Sequence, residues 1–133
     1  MRRRSDFGLR IPETGKMTKE EFRKRTMTFG LRAIRVVQSL SKNDVAQVLG
    51  KQLLRAGTSV GANYRAAIRG RSRADFIAKM GIVEEECDEV LYWMEMLIES
   101  KLVKAKLLAA LRDEGNQILS IVVASIRTAR RSK

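Results

Sequence analysis

Phe76-Ile77-Ala78-Lys79-Met80-Gly81-Ile82-Val83-Glu84-Glu85-Glu86-Cys87-Asp88-Glu89-Val90-Leu91-Tyr92-Trp93-Met94-Glu95-Met96-Leu97 is the stretch that decides the fold. Within it Phe76, Met80, Val83, Cys87, Val90, Met94 and Leu97 follow one another at steps of 4, 3, 4, 3, 4 and 3 residues. Such spacing returns every apolar side chain to one stripe of a helix, and a stripe of that kind is buried only against other helices. Just ahead of it, Ser72-Arg73-Ala74-Asp75 supplies a hydroxyl and, three residues on, a carboxylate, the pattern of a capping box.

The same rhythm extends in both directions. After a break near Lys101 to Lys104, Leu108, Leu111, Gly115, Ile118, Val122, Ser125 and Ala129 again alternate steps of 3 and 4. Before it, Val45, Leu49, Leu53, Ala56, Val60, Tyr64 and Ala67 keep helical spacing to about Gly70, behind a turn in which Asn43 or Asp44 is the cap. Thr18-Lys19-Glu20-Glu21 opens a further helix as a capping box, followed by the seam Phe22, Thr26, Phe29, Ala33, Val36 and Leu40. Four helices joined by short turns predict an all-α fold, an antiparallel up-down four-helix bundle over residues 18–133. Residues 1–17 hold Gly8, Pro12 and Gly15 among basic residues and read as a flexible basic tail.

Size and composition narrow the class. A chain of 133 residues suits one domain, and 44% hydrophobic residues exclude a disordered one. No apolar run approaches the roughly 20 residues that span a bilayer. Met1-Arg2-Arg3-Arg4-Ser5 has no apolar segment behind it, so no signal peptide is expected. A single cysteine fits a reducing compartment, and a cytoplasmic protein without a membrane partner is the expectation.

Charge is abundant and unevenly spread. The net charge is +12. Residues 1–35 carry +7, residues 36–73 carry +6, residues 74–100 carry −7 and residues 101–133 carry +6. The third helix is therefore acidic in an otherwise basic protein, and packing it beside its neighbours pairs the surfaces and sets their register. On the second helix Lys51, Arg55, Arg65 and Arg69 fall opposite the apolar stripe, with Arg71 and Arg73 in the following turn. Arg32 and Arg35 lie off the seam of the first. Cations so arranged neutralise phosphates without reading bases, so these eight are the candidate nucleic-acid-binding residues. With 4 Phe, 2 Tyr and 1 Trp, mostly at packing positions, stacking on single-stranded bases is not supported. Apolar residues off the seams, Ile82, Trp93 and Met96 on helix three and Met27, Leu31 and Ile34 on helix one, predict a homo-oligomer.

Catalytic chemistry is not written here. The chain contains no His. Cys87 sits on the helix-three seam and reads as a buried thiol, not a nucleophile. The run Glu84 to Glu89 lacks the His partners of di-iron bundles and reads as a solvated or partner-facing surface, with Glu84 and Asp88 nearer the seam. Gly57 and Gly61 lack the Gly-Lys-Ser/Thr ending and preceding strand of a phosphate loop, and read as glycines that let a neighbouring helix approach closely. No enzyme, metal, cofactor or small-molecule substrate is expected.

The string Gln52-Leu53-Leu54-Arg55-Ala56-Gly57-Thr58-Ser59-Val60-Gly61-Ala62-Asn63-Tyr64-Arg65-Ala66-Ala67 resembles the signature of the bacterial four-helix bundle proteins. These are also called S23 or 23S rRNA intervening-sequence proteins. Asp75-Phe76-Ile77-Ala78-Lys79-Met80 and Glu89-Val90-Leu91-Tyr92-Trp93-Met94-Glu95-Met96-Leu97 are similar to a second block of that family. Glu21-Phe22-Arg23-Lys24-Arg25-Thr26 departs from the family's Leu-x-Val-Trp opening, so an interface built on that Trp does not carry over. The resemblance implies an antiparallel bundle assembling into a ring-like pentamer, without catalytic residues. It also implies kinship to the accessory variability determinant of diversity-generating retroelements, a basic pentamer that binds nucleic acid. On this reading the partner is nucleic acid, RNA favoured over DNA. The competing reading is an oligomeric protein-interaction scaffold without a nucleic-acid ligand.

Overall fold

The computed structural model describes residues 17–131. Helices α1 (Lys19–Ser39), α2 (Asp44–Ile68), α3 (Arg73–Glu99) and α4 (Ala105–Arg131) form the four-helix bundle that the seams predict. The tail assigned to residues 1–17 lies outside the described residues except for Met17, which is half-buried against the core.

Each start is fixed locally. Thr18 Oγ1 accepts from the Glu21 amide while the Glu21 carboxylate accepts from the Thr18 amide, completing the capping box. Asn43, one of the two caps considered, accepts from the amides of Val45 and Ala46. Ser72 caps α3 by accepting from Asp75. Past α3 the chain turns through Lys101 at φ 67, and the amides of Leu102 and Val103 both donate to the Leu97 carbonyl.

The helices follow one another round the bundle, α2 packing against α1 and α3, and α4 against α3 and more lightly against α1. Every seam residue of α3 named above is buried. In α1 the seam is buried through Ala33, and Val36 and Leu40 are half-buried near the end of the helix. Thr26 and Ser125 enter the core because their hydroxyls donate to the carbonyls of Arg23 and Ile121 in their own helices. Phe22 and Tyr64 meet edge to face at 4.8 Å, and burial raises the Tyr64 phenol well above its ordinary range.

Glycines set the spacing between α1 and α2. A methyl group at Gly57 would stand 2.6 Å from Cβ of Ala33, and one at Gly30 would stand 3.3 Å from the Gly57 carbonyl oxygen. At Gly61 the methyl would meet Thr26 at 3.4 Å, an ordinary contact, so only Gly57 of the pair is required by close packing. Gly115 admits Leu91 and Phe29 at the α3–α4 side. Arg25 then ties α1 to α4 by donating to Glu114 at 2.7 and 2.8 Å and to Gln117 at 2.8 Å.

Two glycine substitutions test this packing in opposite directions. Gly57→Ala should cost about 1–3 kcal/mol by overpacking. Gly81→Ala, in mid-helix with nothing within 4 Å of the added methyl, should instead gain about 0.5–1 kcal/mol. Urea or thermal unfolding of the two variants measures both.

Candidate nucleic-acid interface

The up-down topology decides which distant residues share an end. Gly30 lies against Gly57, and Phe22 against Tyr64, so the first turn of α1 is level with the last turn of α2. Leu91 lies against Gly115, which brings the last turn of α4 level with the first of α3. Collected at this end are Arg65 and Arg69 of α2, Arg71 in the turn, Arg73 of α3, and Arg127, Arg130 and Arg131 of α4. All are exposed except Arg73, which is half-buried. Among the described residues no ion pair engages their side chains.

Among the described residues, the carboxylates at the same end are already committed. Glu20 receives the Arg23 guanidinium, whose hydrogen bonds hold its carboxyl below the usual range. Glu21 closes the capping box. Asp75 accepts from the Arg71 amide at 3.1 Å and from Lys79 Nζ at 3.2 Å, and both lower its pKa. Two helix C-termini and two N-termini meet here, so the helix dipoles oppose one another and the side chains set the potential. The arrangement is a surplus of guanidinium groups facing solvent, suited to bidentate contact with phosphate oxygens.

Of the eight candidate cations, the structure brings together Arg65, Arg69, Arg71 and Arg73. Lys51, Arg32 and Arg35 stand towards the other end of the bundle. Arg55, though exposed, is already engaged: its guanidinium donates to Glu86 at 3.1 Å and to Glu89 at 2.5 Å, so it joins α2 to α3. Glu86 and Glu89, not Glu84 and Asp88, are the carboxylates that reach across. Arg65 pairs with no α3 carboxylate but lines a groove between α1 and α2. Arg127, Arg130 and Arg131, at the end of α4, were not among those candidates. Counting helix directions was the signal that would have placed them beside the α2–α3 turn.

The off-seam apolar residues separate into two surfaces. The α1–α2 groove, of about 220 Å³, is walled by Met27, 54% exposed, Leu31, 44% exposed, and half-buried Ile34, over small residues that include Gly30 and Gly61. On α3, Ile82 is 43% exposed and Met96 is also exposed. Trp93 is corrected: it is half-buried against the core, its indole N–H donates to Glu89 at 3.3 Å, and its ring meets Tyr92 edge-on. Tyr92, 51% exposed, holds the outward position instead.

Cys87 is buried, and burial, followed by the fields of Glu84, Glu86 and Asp88, pushes its thiol up to about 12. The described residues contain no cluster of His, Cys, Asp and Glu able to hold a metal, and no helix long and apolar enough to cross a membrane. Native protein at pH 8 should therefore leave a thiol-reactive dye unconsumed over minutes, whereas the urea-unfolded chain should consume one equivalent at once.

Comparison with known proteins agrees with this architecture. The family model described as "23S rRNA-intervening sequence protein" matches residues 18–124. Among solved structures, a protein of unknown function from the S23 ribosomal protein family of Bacteroides thetaiotaomicron VPI-5482 is similar at a TM-score of 0.78 and 31% identity. The match covers 84% of this chain and 100% of that one. No curated protein matches. With a family match over most of its length and the same bundle in a relative, the chain belongs to the 23S rRNA intervening-sequence protein family.

Proposed function

We propose that this protein is a non-catalytic, cytoplasmic homo-oligomer that binds nucleic acid through its arginine-rich end. A pentamer is the assembly that the family resemblance implies. The observation that carries the reading is the gathering of Arg65, Arg69, Arg71, Arg73, Arg127, Arg130 and Arg131 at one end whose described carboxylates are already paired. Phosphate contacts of this kind give affinity without sequence preference. RNA is favoured over DNA because the family is described by its association with 23S rRNA genes. The absence of His from the chain and the buried thiol support a binding role over a catalytic one. The exposed α1–α2 groove and α3 ridge support self-association, and are also what a protein-interaction scaffold without nucleic acid would show.

Binding to a structured RNA and to a DNA duplex, followed against salt, tests the proposal. The logarithm of affinity should fall linearly with the logarithm of salt, with a slope near −0.9 per phosphate contact on duplex DNA. Replacing Arg69 and Arg130 with Ala should weaken unrelated sequences alike and reduce the slope by about one for each phosphate no longer neutralised. Arg55→Ala should leave the slope unchanged, because that guanidinium is held by α3. No binding to either polymer at about 50 mM salt, where phosphate contacts are strong, overturns the reading in favour of the scaffold.

A further inference from the structure

The two exposed apolar surfaces differ in shape and in charge. The α1–α2 surface is concave, with Met27, Leu31 and Ile34 along one wall and Arg23 and Arg65 among its lining residues. It belongs to the part of the chain, residues 1–73, whose two segments carry +7 and +6. The α3 surface is a ridge along one helix on which Ile82, Tyr92 and Met96 are exposed among acidic residues that include Glu95 and Glu99. It belongs to the segment that carries −7.

Gly61 adds an independent observation. Glycine within a helix costs about 1 kcal/mol relative to alanine, and α1 does not require it here, since a methyl group would meet Thr26 only at 3.4 Å. Gly61 does line the groove, beside Gly30, Thr58 and Ala62. Its smallness keeps the groove open towards solvent, the shape that admits the ridge of another helix.

We propose that the α1–α2 groove of one copy receives the α3 ridge of a second copy of this chain, forming a heterologous contact between two different surfaces. Charge complementarity selects the occupant. Groove against groove juxtaposes the Arg65 side chains, ridge against ridge juxtaposes carboxylates, and only groove against ridge pairs opposite signs around apolar centres. The groove opens between α1 and α2 while the ridge stands on α3, so the two surfaces are not diametrically opposite across the bundle. Each copy is then rotated relative to the last, which gives a closed ring where the rotation divides the circle and a helical array where it does not. This inference rests on the homo-oligomer reading and specifies how that oligomer is joined.

Two exposed positions suffice to test it. Leu31→Glu blocks the groove and leaves the ridge, and Tyr92→Glu blocks the ridge and leaves the groove. Each variant alone, with circular dichroism confirming the bundle, should sediment as a monomer of 15.1 kDa. An equimolar mixture should sediment as a dimer, because the ridge of the first fits the groove of the second and both remaining surfaces are blocked. Met27→Glu mixed with Met96→Glu should repeat the result. A wild-type oligomer whose paired variants stay monomeric when mixed, or whose single variants still dimerise alone, overturns the heterologous contact while leaving oligomerisation intact. A monomeric wild type removes both.

Discussion

The approach of α1 to α2 at Gly30 and Gly57 fixes the rest of the structure. Where a methyl group at Gly57 would stand 2.6 Å from Ala33 Cβ, the helices cannot slide without losing their fit. That register puts Phe22 against Tyr64 and the α1 capping box beside the end of α2. Because α2 turns sharply into α3 through four residues, Arg69 to Ser72, the placement of one helix pair is passed to the next. Gly115, accepting Leu91 and Phe29, completes the set by seating α4. The basic end thus follows from backbone spacing among small residues, several turns away from the arginines themselves.

Electrostatics then distributes the remaining freedom. An acidic helix in a basic protein neutralises charge where the helices touch, and Arg55 with Glu86 and Glu89 is that contact. The pair is substantially exposed and contributes little net stability, on the order of 1 kcal/mol or less. Its importance is directional: it favours α3 as the neighbour of α2 and leaves Glu95 and Glu99 facing outward. Arg25 with Glu114, less exposed, performs the equivalent task between α1 and α4, where helix packing is lightest.

Much of this was legible from residue spacing. The alternation of 3 and 4 from Phe76 to Leu97 identified a buried stripe, and all of it is buried. The caps at Thr18 and Ser72 were readable because each requires only local bonds, and the α2 cap was narrowed to Asn43 or Asp44, of which Asn43 is the one. What spacing does not encode is which flank of a helix faces which neighbour. Trp93 and Met96 sit three residues apart on one flank, yet Trp93 turns towards Glu89 and the core while Met96 stays outside. Arg55 and Arg69 look equivalent on a projection of α2, but only Arg55 has α3 carboxylates within reach. The α4 arginines joined the site only through three-dimensional register, which a single-helix projection discards.

Assembly and binding are coupled by symmetry in the proposed ring. Rotation about a closed axis gives every copy the same attitude to that axis, so with the bundles aligned along it each arginine-rich end lies on one rim. One end alone makes few phosphate contacts, and its affinity is weak at physiological salt. Several ends held at fixed spacing make the later contacts intramolecular, multiplying affinity without any new chemistry. The ridge contributes in a second way. Glu95 and Glu99 would repel a polyanion if left on the surface, and seating them against a neighbour's basic groove removes that repulsion. A copy that cannot assemble therefore loses both avidity and the neutralisation of its own acidic helix. In this arrangement the acidic segment limits phosphate binding by the monomer and, once paired, joins the copies that together present the basic rim.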